Sequence, residues 1–404
     1  MAEISLRVAF VVQRYSPEVA GGAEALCRHV AERLGHYVDA HVLTTCALEY
    51  ERWANHYSSG VTKLNQVTVH RFPVSKERNR RTFNRLSERL FSPGDRHDYP
   101  AGELEWMLAQ GPRAETLLDH ISECRDEYDV FVFFTYLYYT TFFGVQLVPE
   151  KSVLVPTAHD EPPIYLEIFR PLFHIPRFIV FLTDEERDFV HRHFQNPHVP
   201  WAVVGTGIGT PRDVSGERFR ARYGLSEPFI LYAGRISPSK NCNGLFEFFK
   251  RYKEETNASL KLVLIGRADM PIPEYADIVY LGFVREEDKF DGLQAAEVVV
   301  MPSRFESFSI VSLEALSVGT PVLVNGESLV LKEHCLRANG GLYYHSYEEF
   351  SLALTLLLER EDLRRRLGRQ GAAYVSQFYP WSTIERRYLE ILESVANGGE
   401  DWVR

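Results

Sequence analysis

The chain is poor in cysteine. Its 404 residues hold five, Cys27, Cys46, Cys124, Cys242 and Cys335, an odd number with no C-x-x-C among them. Scattered thiols of this kind fit a reducing compartment and offer no zinc-ligand pattern. Long apolar runs are missing too. No uninterrupted stretch would span a bilayer, and residues 1–12 lack the long apolar core and small-residue cleavage site of a signal peptide. A soluble, cytoplasmic protein is expected. Positive charge is also scarce: 45 Lys and Arg stand against 55 Asp and Glu, a net charge of −10. That excludes the broad basic footprint of a dedicated nucleic-acid binder, so no nucleic-acid partner is expected. Finally, no D-x-D triplet occurs, so that acidic pattern for holding a metal is absent.

What the chain does have is an alternation of short apolar runs with amphipathic helices. Hydrophobic residues make up 45%, enough for two or three cores at this length. Residues 6–12, 39–45, 67–72, 129–134, 152–159 and 176–182 read as buried strands. Residues 23–34 form a helix with Ala25, Leu26, Val30 and Leu34 on helical spacing. After the glycine-bearing stretch near 205–211 the pattern restarts, with strands over 229–235, 260–266, 278–282, 296–303 and 320–326. Near-continuous Val/Ile/Phe runs with helical connections indicate α/β architecture with parallel sheets buried on both faces. The expectation is two Rossmann-like domains, 1–205 and 206–380, each binding ligands at its strands' carboxyl ends. Residues 92–103 read as loop, 380–395 as a terminal helix, and the last residues as frayed.

Candidate chemistry gathers at strand ends. Gly21-Gly22 opens a helix after the first strand, where free N–H groups and a partial positive charge suit an anion; a tight turn without ligand fits equally well. Arg235 and Lys240 follow the first strand of the second half. A planar fork and a compact charge suit a diphosphate, and two solvated loop cations are the plainer reading. Glu306 lies across a short loop from strand 296–303, with Glu314 eight residues on. Within one helix the two acids would stand about 80° apart around the axis. If Glu306 precedes the helix, residues 307–310 form its first turn with free amides. The acids could then meet sugar hydroxyls and a ribose diol; helix capping and surface charge are the alternatives.

These pieces together resemble the GT-B glycosyltransferases, specifically the large retaining group called family four. The resemblance spans nearly the whole chain. It includes Gly21-Gly22-Ala23-Glu24, a strand ending in His159-Asp160, and strand 176–182 leading into TDEERDFV. It continues with Gly234-Arg235 and Lys240, Gly266, Gly282-Phe283, and the Glu306-to-Glu314 pair within E-x-F-x-x-x-x-x-E-A. It implies two domains facing across a cleft, with terminal helix 381–397 crossing back onto the first. The implied activity is retaining transfer of a sugar from a nucleoside-diphosphate donor to an acceptor hydroxyl, in glycan, lipid-linked polysaccharide or glycoconjugate synthesis. No cofactor and no metal are expected. By the same resemblance Arg235 and Lys240 hold the donor diphosphate and Glu306 the sugar hydroxyls. Glu314 holds the ribose. Ser307, Phe308, Ser309 and Ile310 help hold sugar and phosphate through their amides. The backbone near Phe283 and Val284 holds the base, Gly266 lies beside the donor, and Gly22 places its amide near the phosphates or the acceptor. His159 is a positioning and charge-stabilising candidate, and no general base is assigned.

The chain departs from the family at four places. Serines stand at 307 and 309 where glycine is usual. Arg267 follows Gly266 where an acid is common, and G-T-G at 205–207 replaces an Asn-Gly turn. The basic stretch 76–91, with Lys76, Arg78, Arg80, Arg81, Arg85 and Arg89, has three readings: a solvated helix face, a site for an acidic acceptor, or peripheral contact with an anionic membrane at the inner face. The expected partners are a nucleoside-diphosphate sugar and a glycan or lipid-linked acceptor. Two other functions compete, a non-catalytic nucleotide-sugar binder and a GT-B relative such as an epimerase or phosphorylase.

Overall fold

A computed structural model describes residues 6–19, 21–92 and 99–399. The chain divides into two compact units, one running to Thr206 and taking in the chain again from Ile384, the other covering Gly207–Thr383.

The first unit is built on eight strands: β1 (Arg7–Val11), β2 (Asp39–Thr45), β3 (Gly60–Leu64), β4 (Val67–Phe72), β5 (Val130–Phe134), β6 (Ser152–Val155), β7 (Phe178–Phe181) and β8 (Trp201–Val203). Their order is β3-β4-β2-β1-β5-β6-β7-β8. All neighbours are parallel except the β3–β4 hairpin. The central strands are buried on both faces, as their unbroken apolar runs require. On the face near β2 and β4 an imidazole cluster interrupts the apolar layer. His41 Nδ1 lies 3.0 Å from His70 Nε2, and the His70 and His120 rings are 5.3 Å apart. Helix Trp381–Ala396 buries Ile384, Tyr388, Ile391, Leu392 and Val395, one helical stripe. Its Arg387 donates to the Val203 carbonyl at 2.9 Å, and its Glu385 accepts from Tyr37 at 3.3 Å.

The second unit has six strands: β9 (Phe229–Ala233), β10 (Lys261–Ile265), β11 (Ile278–Tyr280), β12 (Val298–Met301), β13 (Val322–Asn325) and β14 (Gly341–Tyr344). All pair in parallel in the order β11-β10-β9-β12-β13-β14. The chain winds outward from β9 in one direction and from β12 in the other, so the strand order reverses between them. In open α/β sheets that reversal opens a crevice at the carboxyl ends. The loops after β9 and β12 carry Arg235, Lys240 and Glu306.

Three expectations need correction. The loop expected over 92–103 falls partly on 93–98, outside the described residues, and from Tyr99 the chain is helical to Gln110. The basic stretch 76–91 is not one charged face. A helix covers Arg80–Phe91, while Arg78 before it is buried, donating to the Gln110 and Tyr50 carbonyls and lying over the Tyr50 and Trp53 rings. Arg80 pairs with Glu51 at 3.0 Å. Strand 152–159 stops at Val155, ahead of Pro156, which cannot donate to the ladder. Among the described helices none is long and apolar enough to cross a membrane.

Candidate functional site

In the second unit the carboxyl ends of β9, β10 and β11 are tied together by backbone bonds. Gly234 N–H donates to the Ile265 carbonyl at 2.9 Å and Gly266 N–H to the Gly282 carbonyl at 2.8 Å. At Gly266, φ is +131° and a Cβ would lie 2.0 Å from the Gly234 oxygen, so only glycine fits. Gly266 thus acts as the close-packed floor on which the following loops rest.

Above that floor the candidate residues converge. Lys240 closes a short turn over 238–240, and Asn241 (φ 55°) then starts helix Cys242–Thr256. Asn241 and Asn325 both donate to the Pro302 carbonyl, at 3.1 and 3.0 Å, which anchors the loop leaving β12. Lys240 Nζ meets Glu306 Oε1 at 2.6 Å. The diphosphate and sugar candidates are therefore one ion pair between the loops on either side of the strand reversal. Arg235 lies 4.0 Å from Asp269, which also takes Arg267 at 3.2 Å. Asp269 answers the departure at 267: the acid stands two residues later.

The segment between the two glutamates differs from expectation. Residues 307–309 are loop, and helix Ile310–Ser317 begins at Ile310. Ser309 is its N-cap in the left-handed region, φ 62°, where the family's usual glycine costs nothing and serine is strained. Its hydroxyl lies 2.8 Å from that of Ser312. Phe308 is buried against the rings of His334 and Tyr379. Burial pushes the His334 imidazole down to about 4, so it is neutral in its contact with Phe308 at ordinary pH.

Glu314, in the second turn of that helix, is fully enclosed. Burial raises its pKa, and Lys289 from helix Glu286–Ala295 opposes the shift. Lys289 Nζ meets Glu314 Oε1 at 2.6 Å, while Oε2 is buried without a hydrogen-bond partner. A buried acceptor with no donor is costly and marks a place where a ligand hydroxyl would be satisfied. Phe283 is 66% exposed beside partly buried Val284, leaving an aromatic face open to solvent.

Gly22 and His159 belong to the first unit. Gly22 is the exposed first residue of helix Gly22–Leu34, and a side chain there would meet nothing. The constrained glycine is Gly21, where a Cβ would lie 2.1 Å from Glu24 Oε2. His159 Nε2 lies 3.4 Å from Glu161, which accepts from Tyr136 at 2.7 Å. Beside it Glu186 takes N–H bonds from Ala158 at 2.5 Å and Leu182 at 2.7 Å. Complete burial pushes Glu186 up to about 8, against the pull of those two donors. Lys289, Asp269 and Glu186 were not singled out from sequence. Only Glu186 had a local signal, the Thr183-x-x-Glu186 capping pattern. Among the described residues no group of three or more His, Cys, Asp or Glu is placed to hold a metal ion.

Comparison with known proteins gives this geometry a context. Residues 216–374 match the family model of glycosyl transferases group 1. An uncharacterized glycosyltransferase of Methanocaldococcus jannaschii is 24% identical over 424 aligned positions, 96% of this chain and 97% of that one. Sucrose-phosphate synthase from Thermosynechococcus elongatus superposes with a TM-score of 0.74 at 15% identity, covering 98% of this chain and 100% of that one. The Anabaena protein HepE, solved in complex with UDP and glucose, superposes with a TM-score of 0.70 at 16% identity, covering 96% and 100%. By fold the chain is a GT-B protein, and residues 216–374 of its second unit are similar to the group 1 glycosyltransferases.

Proposed function

We propose that this glycosyltransferase moves a sugar from a nucleoside diphosphate to an acceptor hydroxyl with retention of configuration and without metal. The observation that carries this reading is Glu314: an enclosed carboxylate with one oxygen held by Lys289 and the other unpartnered. It suits a ribose diol, whose two hydroxyls donate well to a carboxylate. Glu306 and Lys240 then face the sugar and the diphosphate. As the sugar–phosphate bond breaks, negative charge grows on the leaving phosphate. Lys240 and Arg235 offset it, together with the free amides opening helix Ile310–Ser317. The leaving phosphate takes the acceptor proton on the same face, which needs no protein base. His159, 3.4 Å from Glu161, is the charge-steadying candidate that the first unit carries. HepE, solved with UDP and glucose, makes UDP-glucose the first donor to try. The acceptor is a glycan or lipid-linked sugar, and exposed Arg81 and Arg85 give helix Arg80–Phe91 a face for anionic lipid. Unchanged vesicle flotation after Arg81→Glu/Arg85→Glu would remove that contact.

The test is a thermal-shift screen across common nucleotide sugars, with and without chelator. A bound ligand raises the unfolding temperature by mass action. One donor should stand out, and transfer from it should survive chelation and give a product of unchanged anomeric configuration by NMR. Strict magnesium dependence, or an inverted product, would overturn the proposed chemistry.

A further inference from the structure

A second site lies at the opposite end of the second unit's sheet. Gln294 precedes β12 and Gly319 precedes β13, so both mark the strands' amino ends. Together with Thr210, Arg212, Arg365 and Arg369 they line an open pocket of about 520 Å³. Small-molecule sites commonly run from about 300 to 1,000 Å³. None of the donor-site candidates lines it.

Its lining is one-sided in charge. Three guanidinium groups face it, and no carboxylate is among the lining residues. Arg365 bridges Glu361 at 2.5 Å, an exposed pair of little strength. Arg212 and Arg369 make no ion pair among the described residues. Gln294 uses its carbonyl to accept from Gly216 N–H at 2.9 Å, which leaves its amide N–H groups as donors. Arg365 and Arg369 are four residues apart on helix Glu361–Phe378, a spacing at which like charges destabilise a helix. All this occurs on a chain whose net charge is −10.

The helix that carries two of the arginines is also held in place. A Cβ at Gly368 would lie 1.9 Å from the Gly319 carbonyl, so the helix backbone rests directly on the turn before β13. Arg365 and Arg369 flank that contact, so their backbone is set at the rim. An arginine-rich pocket of this size, with no carboxylate in its lining, fits an anion with several acceptor oxygens.

We propose that this pocket binds a phosphate ester or diphosphate group, apart from the donor site. Guanidinium forks match phosphate oxygens in pairs, and the ligand's charge relieves the repulsion between Arg212, Arg365 and Arg369. The group could be carried by a soluble metabolite or by a lipid headgroup.

The test uses inorganic pyrophosphate titrated into the full-length protein by calorimetry. Two sites are expected. Arg212→Gln/Arg369→Gln should weaken one of them at least about tenfold, and Arg235→Gln should weaken only the other. Both pocket arginines are exposed, so the double variant keeps its fold, with the unfolding temperature as control. Pyrophosphate binding that is unchanged in Arg212→Gln/Arg369→Gln overturns the proposal. Sedimentation with phosphatidic acid vesicles separates the sources. Vesicle binding lost in the double variant assigns the lipid headgroup, and pyrophosphate binding without vesicle binding assigns a soluble phosphate ester.

Discussion

Each unit sets a cation from the loop after its first strand against a glutamate, and the two pairs differ in kind. After β1, Arg14 meets Glu24 at 2.6 Å with both side chains at most 7% exposed. After β9, Lys240 meets Glu306 at the same distance, but with 28% and 11% exposure. Arg14–Glu24 closes over ten residues, from loop to the next helix, and Arg14 also donates to the Leu48 carbonyl and lies over Trp53. Lys240–Glu306 spans 66 residues and joins two loops. The first pair is walled in and serves the fold. The second stays within reach of solvent, as the proposed role in binding a charged substrate requires. Distance alone does not separate a structural ion pair from a working one; burial and the other bonds each partner makes do.

The comparison can be broken by mutation, and the largest effect should fall on the first pair. Glu24→Ala leaves a buried guanidinium uncompensated and should cost about 3–5 kcal/mol in urea unfolding. Replacing both partners together with apolar residues should recover much of that. If Glu24→Ala were neutral, the first pair would be as exposed in practice as the second. Glu306→Gln should do the reverse: stability within about 1 kcal/mol of the parent and transfer slowed by at least about 100-fold. Nucleotide affinity should stay within a few-fold, because Glu314 is untouched. Equal loss of nucleoside diphosphate binding would move Glu306 off the sugar.

Acid should reveal a third kind of buried charge chemistry. Burial and its imidazole neighbours push His70 down to about 4, and burial does the same to His334. Unfolded, each takes its proton near 6.5. The unfolded chain therefore binds more protons across that window, and stability falls as pH drops from about 6.5 toward 4. His70→Phe should flatten that decline, read from unfolding midpoints at pH 7 and pH 5. The smallest effect concerns Lys289. Lys289→Met should weaken nucleotide binding by about tenfold at neutral pH, because the buried Glu314 then holds its proton more tightly. Binding should recover as pH rises. A pH-independent loss would mean that Lys289 touches the nucleotide itself.

Most strands legible in the sequence were those buried on both faces and apolar without interruption, and partly exposed β4 and β11 were legible too from their β-branched residues. The edge strand β3 is exposed along nearly its whole length and reads GVTKL, with no period to betray it. β8 is three residues long and hidden in a glycine-rich stretch, and β14 is four. At the site, Glu306, Glu314, Arg235 and Lys240 stood out because each sits at a strand end or in a spaced motif. Lys289 and Asp269 did not. Each is an ordinary surface-type residue until folding brings it against a partner, Lys289 reaching Glu314 across 25 residues. Such pairings carry no local spacing. Ser309 was visible as a departure from glycine, but its left-handed backbone was not.

That backbone bears on how freely the loop before helix Ile310–Ser317 can move. A glycine at 309 would let the segment leading into helix Ile310–Ser317 sample many shapes. Serine gives up that latitude. It accepts about 1 kcal/mol of local strain, ties its hydroxyl to Ser312, and leaves the unfolded chain fewer states to lose on folding. If the loop borders the donor sugar as proposed, a Ser309→Gly variant should turn over a wider panel of nucleotide sugars than its parent.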